Sequence, residues 1–228
     1  MAEALKNQEE HRILLHNASW ETYERLLAER EERRSPRFFY ERGALEILSP
    51  SAEHDMTSRI VATLIELLAE EADTDVESSG STTFKREDLA RGFEPDECFY
   101  FGGNASRVRD TVAGKGNIEL DAGDPAPDLM VEVDITSPSF DKLSIYARLA
   151  VHEVWRYAGN PGRLEILGLS DEREGGEEPR YTEAPERLPA GGHGEALTRL
   201  IVEGLSLDRR VLRRRVRESA RELSLEVR

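Results

Sequence analysis

The stretch Ala126–Leu149, APDLMVEVDITSPSFDKLSIYARL, decides the fold. Its first half reads as a strand, Leu129–Ile135, in which alternate side chains share a face. Met130, Glu132 and Asp134 then point one way, and Leu129, Val131, Val133 and Ile135 point the other way, into a core. A carboxylate in the middle of an apolar strand is costly to bury without a partner, so it belongs at a site or a sheet edge. A Ser-Pro-Ser turn at 137–139 leads into a helix, Phe140–Leu149, that opens with Asp141-Lys142. Two further strands follow, His152–Ala158 and Arg163–Leu169, joined across the turn signal Gly159-Asn160-Pro161-Gly162. Strand, helix and strand in succession point to an α/β domain with a mixed sheet between helices.

Upstream, a second acid precedes another aromatic strand: Asp96, in GFEPDECFYF at Gly92–Phe101. Two acids on neighbouring strands with a lysine nearby are the minimal apparatus for a divalent metal and phosphodiester hydrolysis. Working outward, Trp20–Glu32 reads as a helix capped by Ser19. Arg37–Leu48 reads as two short strands turning at Arg42-Gly43, and His54–Glu71 as an amphipathic helix with a broad buried face. Thr74–Lys85 and Glu94–Phe101 are strand candidates, and Asn104–Asp124 is expected to hold a hairpin. Ser170–Glu178 and Pro189–Gly194 read as irregular, with helices at Ala196–Leu205 and Asp208–Leu223.

Composition bounds the chemistry. The 228 residues are 38% hydrophobic and 34% charged, with a net charge of −15. That acidity argues against tight, nonspecific binding of nucleic acid. The charge is uneven, however: Asp208–Arg221 is strongly basic, whereas Ser170–Glu186 and Asp55–Asp75 are acidic. No apolar run approaches the roughly 18 residues that span a bilayer, and the first residues lack the basic and apolar regions of a secretion signal. Cys98 is the single cysteine, which excludes an intrachain disulfide and a cysteine zinc cluster and fits a cytoplasmic protein.

The motifs EPDECFYF (Glu94–Phe101), PDLMVEVDITSPS (Pro127–Ser139), DKLSIYARLAVHEVWRY (Asp141–Tyr157) and SPSAEHDMTS (Ser49–Ser58) together carry a resemblance. At these spacings the chain resembles the Uma-two family, described as restriction endonucleases, in the PD-(D/E)XK nuclease superfamily. The likeness spans about residues 38–169. It implies a restriction-endonuclease-like fold, a mixed central β-sheet flanked by helices; with no internal repeat and no linker in the sequence, one domain is expected over 1–228, with a helical extension at about 196–223. The superfamily's first metal-binding aspartate falls on Asp96 and its second acid on Glu132. The place of the usual lysine, two residues later, is taken by Asp134, and Lys142 on the next helix stands where this family has a lysine.

On that resemblance Asp96, Glu132 and the Val133 carbonyl would bind Mg²⁺ or Mn²⁺, with Lys142 assisting hydrolysis of DNA and Asp134 a fourth member of the site. DNA of low affinity and a second copy of the chain, as a homodimer, are the expected partners. The bland readings stand beside these. Asp96 can simply begin a strand, Asp134 can be a strand-end carboxylate paired with an arginine, and Lys142 can be a solvated lysine. His54 either lines the site or caps a helix, Glu66 and Glu70 are either site acids or surface residues, and Asp128 reads as a turn acid. Trp155 and Tyr157 read as core. The rival function is a catalytically inactive nucleic-acid-binding or assembly protein of the same fold.

Overall fold

The computed structural model describes residues 10–30, 35–115, 118–135, 142–170, 179–183 and 194–226, with side chains to 222. The strand read at 129–135 is the centre of the architecture. Strand β8 (Leu129–Asp134) lies parallel to β9 (Glu153–Ala158) and antiparallel to β7 (Glu97–Phe101). With β10 (Arg163–Leu169), β11 (Tyr181–Glu183) and β4 (Val76–Ser78) they form a six-stranded mixed sheet ordered β11-β10-β9-β8-β7-β4. Helix α4 (Lys142–Arg148) is the crossover that the parallel pair requires. The Ser-Pro-Ser turn and Phe140-Asp141 lie outside the described residues, as do 171–178 and 184–193.

A second sheet was not expected. It is five-stranded and antiparallel, ordered β1-β3-β2-β6-β5, from β1 (His11–Leu15), β2 (Arg37–Glu41), β3 (Ala44–Ser49), β5 (Phe84–Arg86) and β6 (Arg91–Phe93). The hairpin read at 37–48 is its β2-β3 pair. Arg42 and Gly43 both take positive φ, +46° and +95°, as a two-residue hairpin turn demands. The single strand read over Thr74–Lys85 is corrected to two, β4 and β5, in different sheets. The chain leaves one sheet for the other around Gly80, itself at φ +58°.

Four layers result. Helices α2 (Ala52–Glu71), α5 (Gly194–Gly204) and α6 (Arg209–Glu226) cover one face of the six-stranded sheet, burying Ile60, Leu64, Leu200, Leu212 and Val216 against Leu129, Val131, Val133 and Trp155. The other face packs against the five-stranded sheet, α3 (Gly103–Lys115) and α4, where Met130, Cys98 and Val154 meet Phe39, Leu48, Phe93 and Tyr146. Helix α1 (Trp20–Arg30) closes the far side of the second sheet with Tyr23 against Phe38, Tyr40 and Leu45. Both faces of β8 are therefore buried, and the face carrying Glu132 and Asp134 is the one between the sheets.

Helix α3 overturns the hairpin expected at Asn104–Asp124. Only Ala105 and Val108 on it are buried, so its apolar stripe is too thin to register as a helix in the sequence. Asp128 holds its start, accepting hydrogen bonds from the Phe101 N–H and the Asn104 amide, both at 2.8 Å, as a turn acid would.

Candidate functional site

Register brings the two acids together. Glu97 pairs with Val131 across β7 and β8, and one step further along the antiparallel ladder sets Asp96 opposite Glu132. Both are buried, at 2% and 3% exposure. The second sheet supplies their counter-charges by the same logic. Cross-strand partners share a face, and Leu48, which packs inward, is paired with both Arg12 and Arg37. Their guanidiniums therefore enter between the sheets, and so does Glu46, two residues from Leu48 on β3 and fully buried.

Each acid has its own partners. One Asp96 oxygen accepts from the Val133 N–H at 2.6 Å. The other faces the Arg37 guanidinium and, at 3.4 Å, His54 Nε2. Glu132 accepts from Lys142 Nζ at 2.6 Å and from the Tyr146 hydroxyl. Lys142 is itself buried, with its ammonium 3.8 Å from the centre of the Phe39 ring. The solvated reading of Lys142 is thereby set aside. Asp134 stands at the strand end with Arg12 Nη2 at 3.8 Å, and Arg12 Nη1 lies 3.8 Å from Glu46. Arg12 also pairs with Glu10 at 2.8 Å, whose other oxygen is 3.9 Å from His54 Nε2.

His54 lies in the first turn of α2, where Ser51 rather than the histidine caps the helix, accepting from the His54 N–H at 3.1 Å. Burial, then the charges of Arg37, Lys142 and Arg12, push its pKa from 6.5 down to about 3. It is a neutral imidazole at ordinary pH. Burial also raises the carboxyls of Glu46 and Asp134, each further raised by Glu132 and lowered by Lys142 and Arg12. The Tyr146 hydroxyl is raised by burial and by the charge of Glu132, so it remains a proton donor to that carboxylate.

Five carboxylates (Glu10, Glu46, Asp96, Glu132, Asp134) thus share the space between the sheets with three fixed cations, Arg12, Arg37 and Lys142. Their hard oxygens suit Mg²⁺ or Mn²⁺ in kind, and a divalent ion would balance the excess negative charge. In position they are committed elsewhere. Among the described residues no three His, Cys, Asp or Glu side chains are grouped as a metal would group them. An ion would have to compete with Arg37 for Asp96 and with Lys142 for Glu132.

Of the residues singled out in the sequence, Asp96, Glu132, Val133, Asp134, Lys142 and His54 come together. Glu66 and Glu70 do not: both are exposed on α2, and Glu70 pairs with Arg217. Asp128 is a turn acid, and Trp155 and Tyr157 are core. Five site residues were missed, Glu10 among them. Glu46 carried the same signal as Glu132, an acid between apolar neighbours in a strand. Tyr146 lies four residues after Lys142 and so on the same helical face. Arg12 and Arg37 carried no signal, because only the pairing of β1, β2 and β3 aims them inward.

The Uma2 family, described as "Putative restriction endonuclease", matches residues 20–198. The chain belongs to this family. The Uma2 match is wider than the stretch 38–169 on which the sequence motifs rest, and it leaves out β1 and α6. A crystal structure described as "a putative nuclease belonging to DUF820 from Anabaena variabilis" is similar at a TM-score of 0.45 and 14% identity, covering 74% of this chain and 86% of that one. No curated protein matches the chain. Among the described residues no helix is long and apolar enough to cross a membrane.

Proposed function

We propose that this Uma2 protein is a metal-dependent endonuclease that hydrolyses DNA phosphodiester bonds. The observation that carries the reading is the triad in the second half of β8: Asp96, one residue before β7, across from Glu132, with Lys142 Nζ 2.6 Å from Glu132, all three buried. Three costly charges placed together between two sheets contribute little to stability that apolar residues would not. A catalytic role gives them a reason. Asp96, Glu132 and the Val133 carbonyl would hold Mg²⁺ or Mn²⁺, which supplies Lewis-acid activation of water and phosphate.

The remaining steps fall to the chain itself. Lys142 orients the attacking water or stabilises the charge that builds on the phosphate, while Phe39 beneath its ammonium fixes its position. Tyr146 holds Glu132 in one rotamer through its hydrogen bond. Neutral His54, facing Asp96, lines the site without adding a charge to it. Asp134, where the superfamily has its usual lysine, adds negative charge, favouring the cation and weakening attraction for phosphate. Low affinity for DNA follows.

The test is nicking of supercoiled plasmid and cutting of single-stranded DNA with Mg²⁺ or Mn²⁺. Glu132→Ala should lose at least about a hundredfold of the rate, the scale on which one preorganised electrostatic group matters. If neither wild type nor variant cuts with any metal at low salt, the site is a closed network of ion pairs and the inactive reading replaces this one.

A further inference from the structure

We propose that the exposed arginine face at the start of α6 is a docking surface for the phosphate backbone of duplex DNA. This rests on the nuclease reading, for which it supplies a means of holding substrate. Six of the nine residues from Arg209 to Arg217 are arginine, in a chain whose net charge is −15. The apolar side of α6 is accounted for: Leu212, Val216 and Ala220 are buried against α2 and α5. Toward its end the arginines are accounted for too, since Arg217 and Arg221 pair with Glu70 and Glu71 of α2, and Arg215 with Glu203.

The first turns differ. The side chain of Arg210 is 92% exposed and among the described residues bonds only to Asp208, and that of Arg214 is 70% exposed with Glu218 at 3.9 Å. Arg209 and Arg213 are exposed and have no ion pair among the described residues. Local stability does not explain this placement. Cations in the first turn of a helix oppose the macrodipole, and Arg209/Arg213 and Arg210/Arg214 are like-charge pairs four residues apart, each unfavourable by a few tenths of a kcal/mol. A polyanion lying across this face removes both penalties.

The position suits the site. Gly204 separates Ile60 of α2 from Leu212 of α6 so closely that an added methyl would meet them at 3.0 and 3.1 Å. Ile60 is six residues from His54, about 9 Å along the helix at 1.5 Å per residue. The start of α6 is therefore packed along the same helix that carries His54 into the site. The helix lies beyond the family match, which ends at 198.

The experiment measures binding of the full-length chain to a labelled duplex about three turns long, across salt concentrations. Wild type is compared with the variant Arg209→Ala/Arg210→Ala/Arg213→Ala/Arg214→Ala, whose folding is checked by thermal unfolding. The variant should bind at least about tenfold more weakly. Its slope of log K against log salt should be shallower by about 0.9 for each phosphate that the variant no longer neutralises. Equal affinity and slope in the two proteins would overturn the proposal, as would wild-type binding to phosphatidylserine vesicles in place of duplex. The two readings fail separately. Cutting that is unchanged in the quadruple variant removes the docking surface and leaves the nuclease. A salt slope that flattens in the variant, with no cutting by wild type, keeps the surface and removes the nuclease.

Discussion

His54 is buried without a charge of its own, and that sets how the fold responds to acid. Its pKa of about 3 lies below the ordinary 6.5, so between these values the unfolded chain binds a proton that the folded chain refuses. Stability is full above about pH 6.5 and is lost as pH falls toward 3, by on the order of 5 kcal/mol at most. Glu46 and Asp134, with raised carboxyls, work the other way and gain stability as pH falls toward their ordinary values. In His54→Gln the drop in melting temperature between pH 7 and pH 5 should therefore shrink; an unchanged drop would mean that another group carries it. Lys142 allows a second residue-scale prediction. Lys142→Ala leaves Glu132 buried with Tyr146 as its remaining donor, and should lower stability by about 3–5 kcal/mol in urea unfolding. Lys142→Ala/Glu132→Gln should recover part of that loss. The acids of this site were legible in the sequence because a carboxylate among apolar strand residues breaks a pattern. Arginines in a chain with 34% charged residues break none.

Among the elements, β6 carries the tightest packing constraint. Gly92 lies directly beneath the ring of Tyr23, and a side chain there would overlap it. Tyr23 is fully buried and stacks on Tyr40 with ring centres 5.2 Å apart. Gly92→Ala should thus lever α1 off the second sheet and destabilise the fold by about 1–3 kcal/mol, visible as a lower urea midpoint with loss of near-ultraviolet circular dichroism from the aromatic cluster. Elements with a strong period could be read directly: α2, the β2-β3 hairpin, and β8 through β10. Ser19 caps α1 as expected, accepting from the Thr22 N–H at 3.1 Å. Two of the failures, α3 and β1, share a cause, which is little burial on the element itself. On α3 two residues are buried, and on β1 none, so neither leaves a clear apolar stripe.

At the scale of the molecule, α2 ties everything together, packed against the six-stranded sheet and against both α5 and α6. Leu212 is fully buried in that seam. Leu212→Ala should cost about 2–4 kcal/mol, read as a shift of the whole cooperative transition rather than a separate early one, because α6 shares a core cluster with α2 and β8. An independent early transition for α6 would show that the extension folds as its own unit. The central sheet was visible in one local run of sequence, strand, helix and strand. The second sheet was not, since its strands come from residues 11 to 93, and nothing local says that β1 pairs with β3 or β2 with β6. Long-range pairing is decided by the whole core, not by any window.

Strand β1 has one more consequence, for the protein at high concentration. It forms an end of the five-stranded sheet, so its outer row of backbone groups has no neighbouring strand among the described residues. Ile13, Leu14 and Leu15 are 56%, 38% and 40% exposed beside that row. An open, apolar sheet edge is a template for another chain's edge. Light scattering should therefore rise with concentration in wild type and less steeply in Leu14→Lys, a charge that would act as the gatekeeper this edge lacks.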